Sequence, residues 1–267
     1  MSSLFLRALV AAIPLVMVGG PVSAREPGKN FTVRWFGQSF FQVETPSGKR
    51  IVFDPHAIPE LGRLQVPADI VVCSHLHNDH TQLVSVESAK AARVFMGLEE
   101  GKKGRPAEWN RIDEKVGRIR VRTVPLYHDQ EDGMSRGKNS GFVIEAEGMT
   151  FCHLGDVAHE LTSGQVKAIG PVDVLMVPVG GIFTLNGERA KKVVEQIGPR
   201  LYVLPMHYRL PGVDELLPAD EFLDEQPNVK RMPTTNELVI PADMKADTCT
   251  VVVLNWRKDE AVAPPKK

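Results

Sequence analysis

The sequence predicts an α/β protein whose buried strands end in histidine or aspartate side chains. Short runs of β-branched and apolar residues, such as residues 69–73 and 172–179, have the length and composition of buried strands. A helix is predicted from Asn186 to residue 197, because apolar side chains recur there at i, i+3, i+4 and i+7. Four predicted strands are followed almost at once by a side chain that can bind a metal ion: His75, His128, Asp156 and His207.

The first predicted strands follow one another with short turns. Residues 31–36 and 39–44 alternate between apolar and polar positions, and a Pro-Ser-Gly-Lys turn leads into a strand at residues 50–53. This strand ends at Asp54. We expect Asp54 to be a structural acceptor of hydrogen bonds beneath the histidine-rich segment that follows the next strand.

The middle of the chain is less regular. A helix is expected over residues 82–92 and a short strand over residues 94–96. Residues 97–117 are polar, with Gly and Lys around Trp109, and predict a surface loop.

The second half again predicts strands separated by turns. A strand is expected over residues 118–126, and residues 141–146 and 149–154 form a predicted hairpin around a Glu-Gly turn. Strands over residues 202–204 and 251–256 complete the predicted fold.

The densest group of ligand-type side chains is the segment Ser-His-Leu-His-Asn-Asp-His at residues 74–80. His75 and His77 lie two positions apart, so in extended geometry both project to the same side. Asp79 and His80 follow at a spacing that lets a turn bring them to a second point nearby. Since imidazole and carboxylate groups bind zinc and related divalent ions, the segment predicts a metal site.

Length and charge restrict the class of protein. The chain has 267 residues, 43% of them hydrophobic, and a formal charge of −1. This composition is typical of a soluble globular protein with one sizeable domain or two small ones. The near-neutral charge and scarce basic runs argue against a nucleic-acid groove.

Residues 1–24 predict a cleavable secretory signal. Arg7 precedes a short apolar run, and a small-residue Val-Ser-Ala site ends at Ala24. The run is shorter than the ~20 apolar residues that cross a bilayer, so no stable membrane anchoring is expected after cleavage. We therefore expect an exported protein, periplasmic or secreted, with one domain at residues 25–258 and a frayed tail at residues 259–267.

Three cysteines, Cys73, Cys152 and Cys249, each lie in an apolar strand-like run. Their odd number and apolar surroundings favour buried free thiols over a disulfide.

The ordered pattern resembles the metallo-β-lactamase superfamily. His-x-His-x-Asp-His at residues 75–80 is followed by a lone histidine, an aspartate and a final histidine, and the resemblance covers nearly all of the chain after residue 24. It implies an αβ/βα four-layer sandwich with ligands at the strand ends. It also implies two divalent ions, one held by His75, His77 and His128, the other by Asp79, His80 and His207, with Asp156 between them.

Further motifs narrow the resemblance. His-Asp, Gly-Lys-Asn, His-Leu-Gly-Asp, Pro-Val-Gly-Gly and Pro-Met-His-Tyr are similar to the branch that contains bacterial ascorbate-6-phosphate lactonase and related metal-dependent hydrolases. The resemblance implies a dinuclear hydrolase in which the metals activate water to attack a small ester, lactone or phosphodiester. Asp79 is the candidate general base, and the candidate substrate contacts are Arg136, Lys138 and Tyr208.

Several alternatives stay open on the sequence alone. Zn²⁺ is the expected ion, but the same donors accept manganese or iron. A manganese-dependent sugar-phosphate lactonase is a competing function, which the predicted export disfavours. A non-catalytic metal-binding module is another, which the complete ligand set disfavours. Of the remaining histidines, His153 is a candidate support for a ligand and His159 is a candidate for the cleft.

Overall fold

The computed structural model describes residues 29–87, 89–102 and 105–257. The predicted signal at residues 1–24 and the predicted tail at residues 259–267 lie outside the described residues. The strands of the first half are β1 (Asn30–Trp35), β2 (Phe41–Glu44), β3 (Arg50–Phe53), β4 (Val66–Pro67), β5 (Ile70–Cys73), β6 (Val86–Glu87), β7 (Arg93–Met96), β8 (Leu98–Glu99) and β9 (Glu108–Trp109).

The second half adds longer strands and the α-helices. The strands are β10 (Asp113–Val116), β11 (Ile119–Tyr127), β12 (Lys138–Ala146), β13 (Met149–His153), β14 (Val174–Pro178), β15 (Tyr202–Met206), β16 (Val229–Met232), β17 (Glu237–Pro241) and β18 (Thr250–Leu254). The helices are α1 (Ser163–Ile169), α2 (Gly187–Ile197) and α3 (Asp220–Leu223). Short 3₁₀ helices cover Pro59–Leu61, Asn78–His80 and Leu83–Ser85.

Two large sheets organise the described residues. One has six strands in the order β17-β1-β2-β3-β5-β7, and the other has eight in the order β10-β11-β12-β13-β14-β15-β18-β16. The pairs β4-β6 and β8-β9 form two short ribbons. Strands β13, β14 and β15 run parallel, and β11 points the same way because both it and β13 pair antiparallel with β12. The carboxyl ends of these four strands therefore share one edge of the larger sheet.

A continuous hydrophobic core lies between the two sheets. The alternating pattern of β1 directs Phe31, Val33 and Trp35 inward, where they join side chains of the larger sheet. The rings of Phe31 and Phe151 meet across the sheets with centroids 5.4 Å apart. The two sheets are thus packed against each other through this core.

Helix α2 confirms the helix predicted from Asn186. The Asn186 side chain accepts a hydrogen bond from Arg189 N at 3.2 Å, and so caps an amide that has no partner within the helix. The helix ends at Gly198, whose φ of 60° lies in the left-handed region that glycine adopts without strain.

The helix expected over residues 82–92 is wrong for the described part of that segment. Its residues form the 3₁₀ turn Leu83–Ser85 and then strand β6, which pairs in parallel with β4 through Val66 and Val86. Leu83 and Val86 pack on the outer side of the six-stranded sheet. The β-branched valines lower helix propensity, and the pairing with β4 satisfies the backbone instead.

The surface loop expected over residues 97–117 is wrong in part, because β8, β9 and β10 lie within it. Trp109 is anchored rather than exposed, since its Nε1–H donates to Leu126 O and Asn139 O at 3.1 and 2.9 Å.

The thiol prediction is confirmed. All three cysteines are free, with Cys73 and Cys152 buried and Cys249 half-buried. Among the described residues, every helix is too short or too polar to cross a membrane.

Candidate metal centre

The predicted ligands meet where strands of the two sheets end. His75 follows β5 of the smaller sheet by two positions, and His128 follows β11 of the larger one. Asp156 lies three residues beyond β13, and His207 directly follows β15. Because β11, β13 and β15 point the same way, their ends bring these side chains to one edge, opposite the end of β5.

Four imidazole rings surround one carboxylate oxygen. Oδ2 of Asp156 lies 3.2 Å from Nε2 of His128, 3.2 Å from Nε2 of His207 and 3.3 Å from Nε2 of His80. Nε2 of His75 is 4.0 Å from the same oxygen. All five side chains are buried. The structure therefore places Asp156 between the histidines of both predicted metal sites.

Six of the seven candidate ligands form two triads, and Asp156 is the seventh. In each triad the three ligand atoms lie within 4.8 Å of one another, and the members are His75, His77 and His128 in the first and Asp79, His80 and His207 in the second. The structure thus brings all the predicted ligands together in one centre. Their division between two ions stays a prediction.

Asp54 fixes the orientation of two of these histidines. It lies at the end of β3 with a φ of 43°, fully buried, and its Oδ2 accepts hydrogen bonds from Ser74 Oγ at 2.6 Å and from His80 Nδ1 at 2.8 Å. Since the Ser74 hydroxyl donates to Asp54, it accepts from Nδ1 of His75 at 2.9 Å. In their neutral forms both histidines are thereby protonated on Nδ1, and their Nε2 atoms face the centre.

Three further residues position Asp156, and the sequence patterns assign none of them this role. Ser39 Oγ donates to Asp156 Oδ1 at 3.4 Å, and the side-chain oxygen of Asn139 accepts from Asp156 N at 3.2 Å. Gly155 has a φ of 55°, and a Cβ added there would lie 2.3 Å from Asn139 Oδ1. Only glycine allows this close approach. Asn139 could have been noticed in the Gly-Lys-Asn motif, whereas Ser39 carries no comparable sequence signal.

The two remaining candidate histidines have different surroundings. His153 is buried, donates through Nε2 to Ser39 O at 2.9 Å and accepts from Gly155 N at 3.1 Å through Nδ1. It therefore supports the neighbours of Asp156. His159 accepts at Nε2 from Tyr127 N at 3.1 Å, so it holds the end of β11. This hydrogen bond favours a structural role for His159.

Opposite charges control protonation in the centre. Burial disfavours charge on His80, but the carboxylates of Asp156 and Asp54 outweigh it and hold its pKa well above the ordinary value. Burial would raise the pKa of Asp156, but His207 and His80 hold it well below the usual range. Burial would also raise the pKa of Asp79, but the His80 ring, whose Nε2 lies 3.5 Å from its Oδ2, lowers that pKa to about 2. The carboxylates of the centre are therefore ionised, and their negative charge favours a positive charge nearby.

The donor set fits divalent metal ions. Three buried ring nitrogens, His80 Nε2, His128 Nδ1 and His207 Nδ1, have no hydrogen-bond partner among the described residues. A buried polar atom without a partner is costly. A cation bound at Nε2 of His80 would take the place of the partner that this atom lacks, and it would supply positive charge beside the ionised carboxylates.

The candidate substrate contacts have partners of their own. Nζ of Lys138 lies 2.6 Å from Glu108 Oε2 and 4.5 Å from the Trp109 ring centroid. The Arg136 guanidinium lies over the Phe183 ring at 4.6 Å. A role of Lys138 and Arg136 in binding substrate stays a prediction.

Tyr208 packs inside the protein. Its ring lies 5.2 Å from that of Trp35, it is only 8% exposed, and burial raises the pKa of its hydroxyl. This placement favours a packing role over contact with substrate.

The loop that leaves His128 is built around Asp129. The Asp129 carboxylate accepts four backbone N–H groups at 2.8–2.9 Å, from Glu131, Gly133, Ser135 and Arg136. The loop closes where His128 N donates to Gly137 O at 3.0 Å. Asp129 therefore shapes the segment next to a candidate ligand.

Comparisons with known proteins identify the family of the chain. The family profile described as the β-lactamase superfamily domain matches residues 32–207. A crystal structure from Thermotoga maritima, described as a Zn-dependent hydrolase of the metallo-β-lactamase superfamily, superposes with a TM-score of 0.62 and 34% identity, over 84% of this chain and 97% of that one. The chain belongs to the metallo-β-lactamase superfamily.

Two curated relatives are also similar to this chain in sequence. A UPF0173 metal-dependent hydrolase of Pyrococcus abyssi is 30% identical over 194 residues, which cover 66% of this chain and 84% of the relative. A UPF0173 metal-dependent hydrolase of Methanoculleus marisnigri is 34% identical over 182 residues, which cover 65% and 79%. The predicted metallo-β-lactamase fold is confirmed by the profile and by the superposition.

Proposed function

We propose that this protein is a metal-dependent hydrolase that holds two divalent ions and hydrolyses a small ester, lactone or phosphodiester. The observation that carries the proposal is the convergence of four imidazole Nε2 atoms on Oδ2 of Asp156, within 4.0 Å. A structural metal site is normally single and closed, whereas this centre offers two triads of ligand atoms. The relatives named metal-dependent hydrolases support the same activity.

The donor types favour zinc. Five histidines and two aspartates suit Zn²⁺, although manganese and iron also accept nitrogen and oxygen donors. In this proposal the first triad holds one ion, the second triad holds the other, and Asp156 lies between them. When bound, the ions polarise a water molecule and the oxygen that gains charge on the substrate.

Asp79 is the proposed general base. Its side chain is 37% exposed, and its Oδ2 lies 3.5 Å from Nε2 of the buried His80. One side of the carboxylate thus faces the ligand cluster while the other is open to solvent and substrate. In this position Asp79 orients the attacking water and accepts its proton. The histidines behind it, fixed by Asp54, hold the ligand atoms in place.

Metal analysis joined to a substrate panel tests the proposal. Protein starting at residue 25 is purified, its zinc, manganese and iron contents are measured, and neutral and anionic esters, lactones and phosphodiesters are assayed with each metal. We expect two ions per chain and turnover of at least one class. If no substrate of the panel is turned over with any of the three metals, the result would favour a non-catalytic metal-binding module.

An Asp79→Asn variant separates binding from catalysis. Because the amide cannot accept a proton, we expect kcat to fall by roughly 10²–10⁴-fold while most of the metal is retained. Wild-type turnover by a metal-loaded Asp79→Asn protein would show that Asp79 is not the base.

We also propose that the protein is exported. The basis is the charged start, the short apolar run and the Val-Ser-Ala site of residues 1–24, which lie outside the described residues. N-terminal sequencing of protein from the envelope fraction tests this, with Arg25 as the expected first residue. An intact Met1 in cytosolic protein would exclude processing.

A further inference from the structure

An apolar groove starts at the candidate base and leads away from the metal centre. Next to Asp79 the surface forms an open depression of about 290 Å³, with Ala57, Ile58 and Pro59 on one wall and Asn78 and Gln82 on the other. A second depression of about 500 Å³ shares Ala57 and Pro59 with the first and continues to Leu64 and Val84. Because the two depressions share these residues, we treat them together and name them the Asp79–Val84 groove.

Hydrogen bonds tie the two walls of the groove together. Gln82 N donates to Pro55 O at 2.8 Å, and the Gln65 side chain donates to Val84 O at 2.7 Å. Beyond this point Val66 and Val86 pair in the β4-β6 ribbon. Since both walls are fixed by backbone contacts, the groove is already formed before a ligand binds, which reduces the entropic cost of binding.

Val84 faces outward in a segment whose neighbours face inward. Leu83 and Val86 pack with the cluster on the outer side of the six-stranded sheet, whereas Val84 is 68% exposed. Ala57 and Pro59, on the facing wall, are also exposed. The groove therefore presents apolar surface to solvent on both walls, at a place that leads directly to a candidate catalytic carboxylate.

The chemistry of the lining favours an uncharged chain. Asp79 lies at one end of the groove, and Arg63 is the only basic side chain along the two depressions, in the part of the chain that the structure describes. An anionic substituent would gain little attraction along such walls, whereas a row of methylene groups would displace water from apolar surface.

We infer that the Asp79–Val84 groove binds a linear alkyl or acyl chain, so that the substrate is an ester or lactone carrying such a chain. The inference rests on the proposed hydrolase function and narrows its substrate class. Each methylene in the groove should raise kcat/KM, by at most the roughly fourfold of full burial, until the chain passes the end of the groove. The position of Asp79 at the start of the groove places the reacting bond at the metal centre and the chain beyond it.

A series of p-nitrophenyl esters from acetate to decanoate tests the inference in the metal-loaded protein. We expect kcat/KM of the wild type to rise with chain length. Val84→Asp should flatten this rise and leave acetate hydrolysis nearly unchanged, and Ala57→Phe should do the same by filling the groove. The matched control is Val239→Asp, because Val239 is similarly exposed at 52% but lies on edge strand β17.

A binding measurement separates this inference from the proposed function. Calorimetric titration of the metal-loaded protein with octanol, compared with ethanol, should give binding that Val84→Asp weakens at least tenfold and Val239→Asp preserves. If acetate is hydrolysed but chain length has no effect, the hydrolase stands and the groove inference is wrong. If no ester is hydrolysed yet octanol binds as expected, the groove stands and the proposed activity is wrong.

Two other outcomes would overturn the inference. Equal octanol binding by the wild type and Val84→Asp would show that the chain does not occupy the groove. Binding of phosphatidylcholine vesicles that is lost in Val84→Asp, without any chain-length effect on hydrolysis, would assign the apolar surface to a membrane instead.

Discussion

Oδ2 of Asp54 lies 2.8 Å from Nδ1 of His80 in the interior of the protein. The same oxygen accepts the Ser74 hydroxyl at 2.6 Å, and that hydroxyl is 2.9 Å from Nδ1 of His75. One carboxylate thus sets the tautomer of a histidine in each triad. A residue with no place in the ligand set therefore controls both halves of the candidate metal centre.

Replacement of Asp54 by asparagine should weaken metal binding at both sites. In one orientation the asparagine NH₂ would face Ser74 N, and in the other it would face Ser74 Oγ and His80 Nδ1. A donor therefore meets a donor in both orientations. We expect metal affinity to fall about 10–100-fold, as measured by competition with a chelator. Asp69→Asn is the control, because Asp69 pairs with Lys49 at the surface. Unchanged affinity in Asp54→Asn would contradict the tautomer argument.

The central position of Asp156 predicts unequal losses of metal. Asp156→Ala removes the carboxylate that lies within 3.3 Å of His80, His128 and His207, so both ions should be lost. His128→Ala should remove mainly one ion. His159→Ala should retain both, because His159 contacts the backbone of Tyr127. The measurement is metal content by mass spectrometry after gel filtration. Two tightly held ions in Asp156→Ala would exclude a shared ligand.

The buried His56 predicts a loss of stability in acid. Its Nε2 donates to Phe36 O at 3.0 Å and its Nδ1 accepts from Ile58 N at 3.2 Å, so the ring is satisfied when neutral. Burial is the main cause that lowers its pKa from 6.5 to about 4. The unfolded chain therefore takes up the proton first. This contribution to stability is complete above pH 6.5, falls as the pH drops towards 4, and then levels off.

At pH 4 the loss from His56 amounts to about 3 kcal/mol. Urea unfolding of the metal-free wild type and of His56→Gln, at pH 7 and at pH 4, measures this loss of stability. The variant is the reference, because glutamine does not titrate in this range. The free energy of unfolding should fall by about 3 kcal/mol more in the wild type than in the variant. Equal falls would show that His56 is protonated as easily in the folded protein as in the unfolded chain.

The core strands could be predicted from the sequence because buried strands have a recognisable pattern of apolar residues. Strand β1 alternates between buried and less buried positions because one of its faces is buried. Strand β5 is apolar throughout because both of its faces are buried. The ligands could be recognised because imidazoles such as His75 and His207 stand where an apolar run ends. Neither inference requires knowledge of distant contacts.

Elements that depend on distant partners could not be predicted. Strand β17 pairs with β1 about two hundred residues away, and Arg34 of β1 contacts Glu237 of β17 at 2.7 Å. The 3₁₀ turn at Leu83 replaces the expected helix because β6 finds its partner in β4. Ser39 reaches Asp156 across 117 positions. In each case the deciding interaction is absent from the local sequence.

The four hydrogen bonds accepted by Asp129 predict that this side chain orders the loop from residue 129 to residue 137. Its two oxygens divide the donors evenly, with Glu131 N and Gly133 N on Oδ1 and Ser135 N and Arg136 N on Oδ2. These amides favour the ionised carboxylate and hold its pKa below the ordinary value against the opposing effect of burial. In Asp129→Asn the NH₂ must face two amide donors, which leaves them without an acceptor.

We therefore expect Asp129→Asn to increase amide hydrogen exchange in a peptide covering residues 131–137, since the loop loses acceptors that close it. Metal affinity should also fall, because the His128 amide donates to Gly137 O at the base of the same loop. The matched control is Asp132→Asn. Asp132 is exposed with a φ of 55°, a conformation that asparagine also tolerates, so its exchange and affinity should match the wild type. If Asp129→Asn exchanges as slowly as Asp132→Asn, the loop is ordered by its other contacts rather than by this carboxylate.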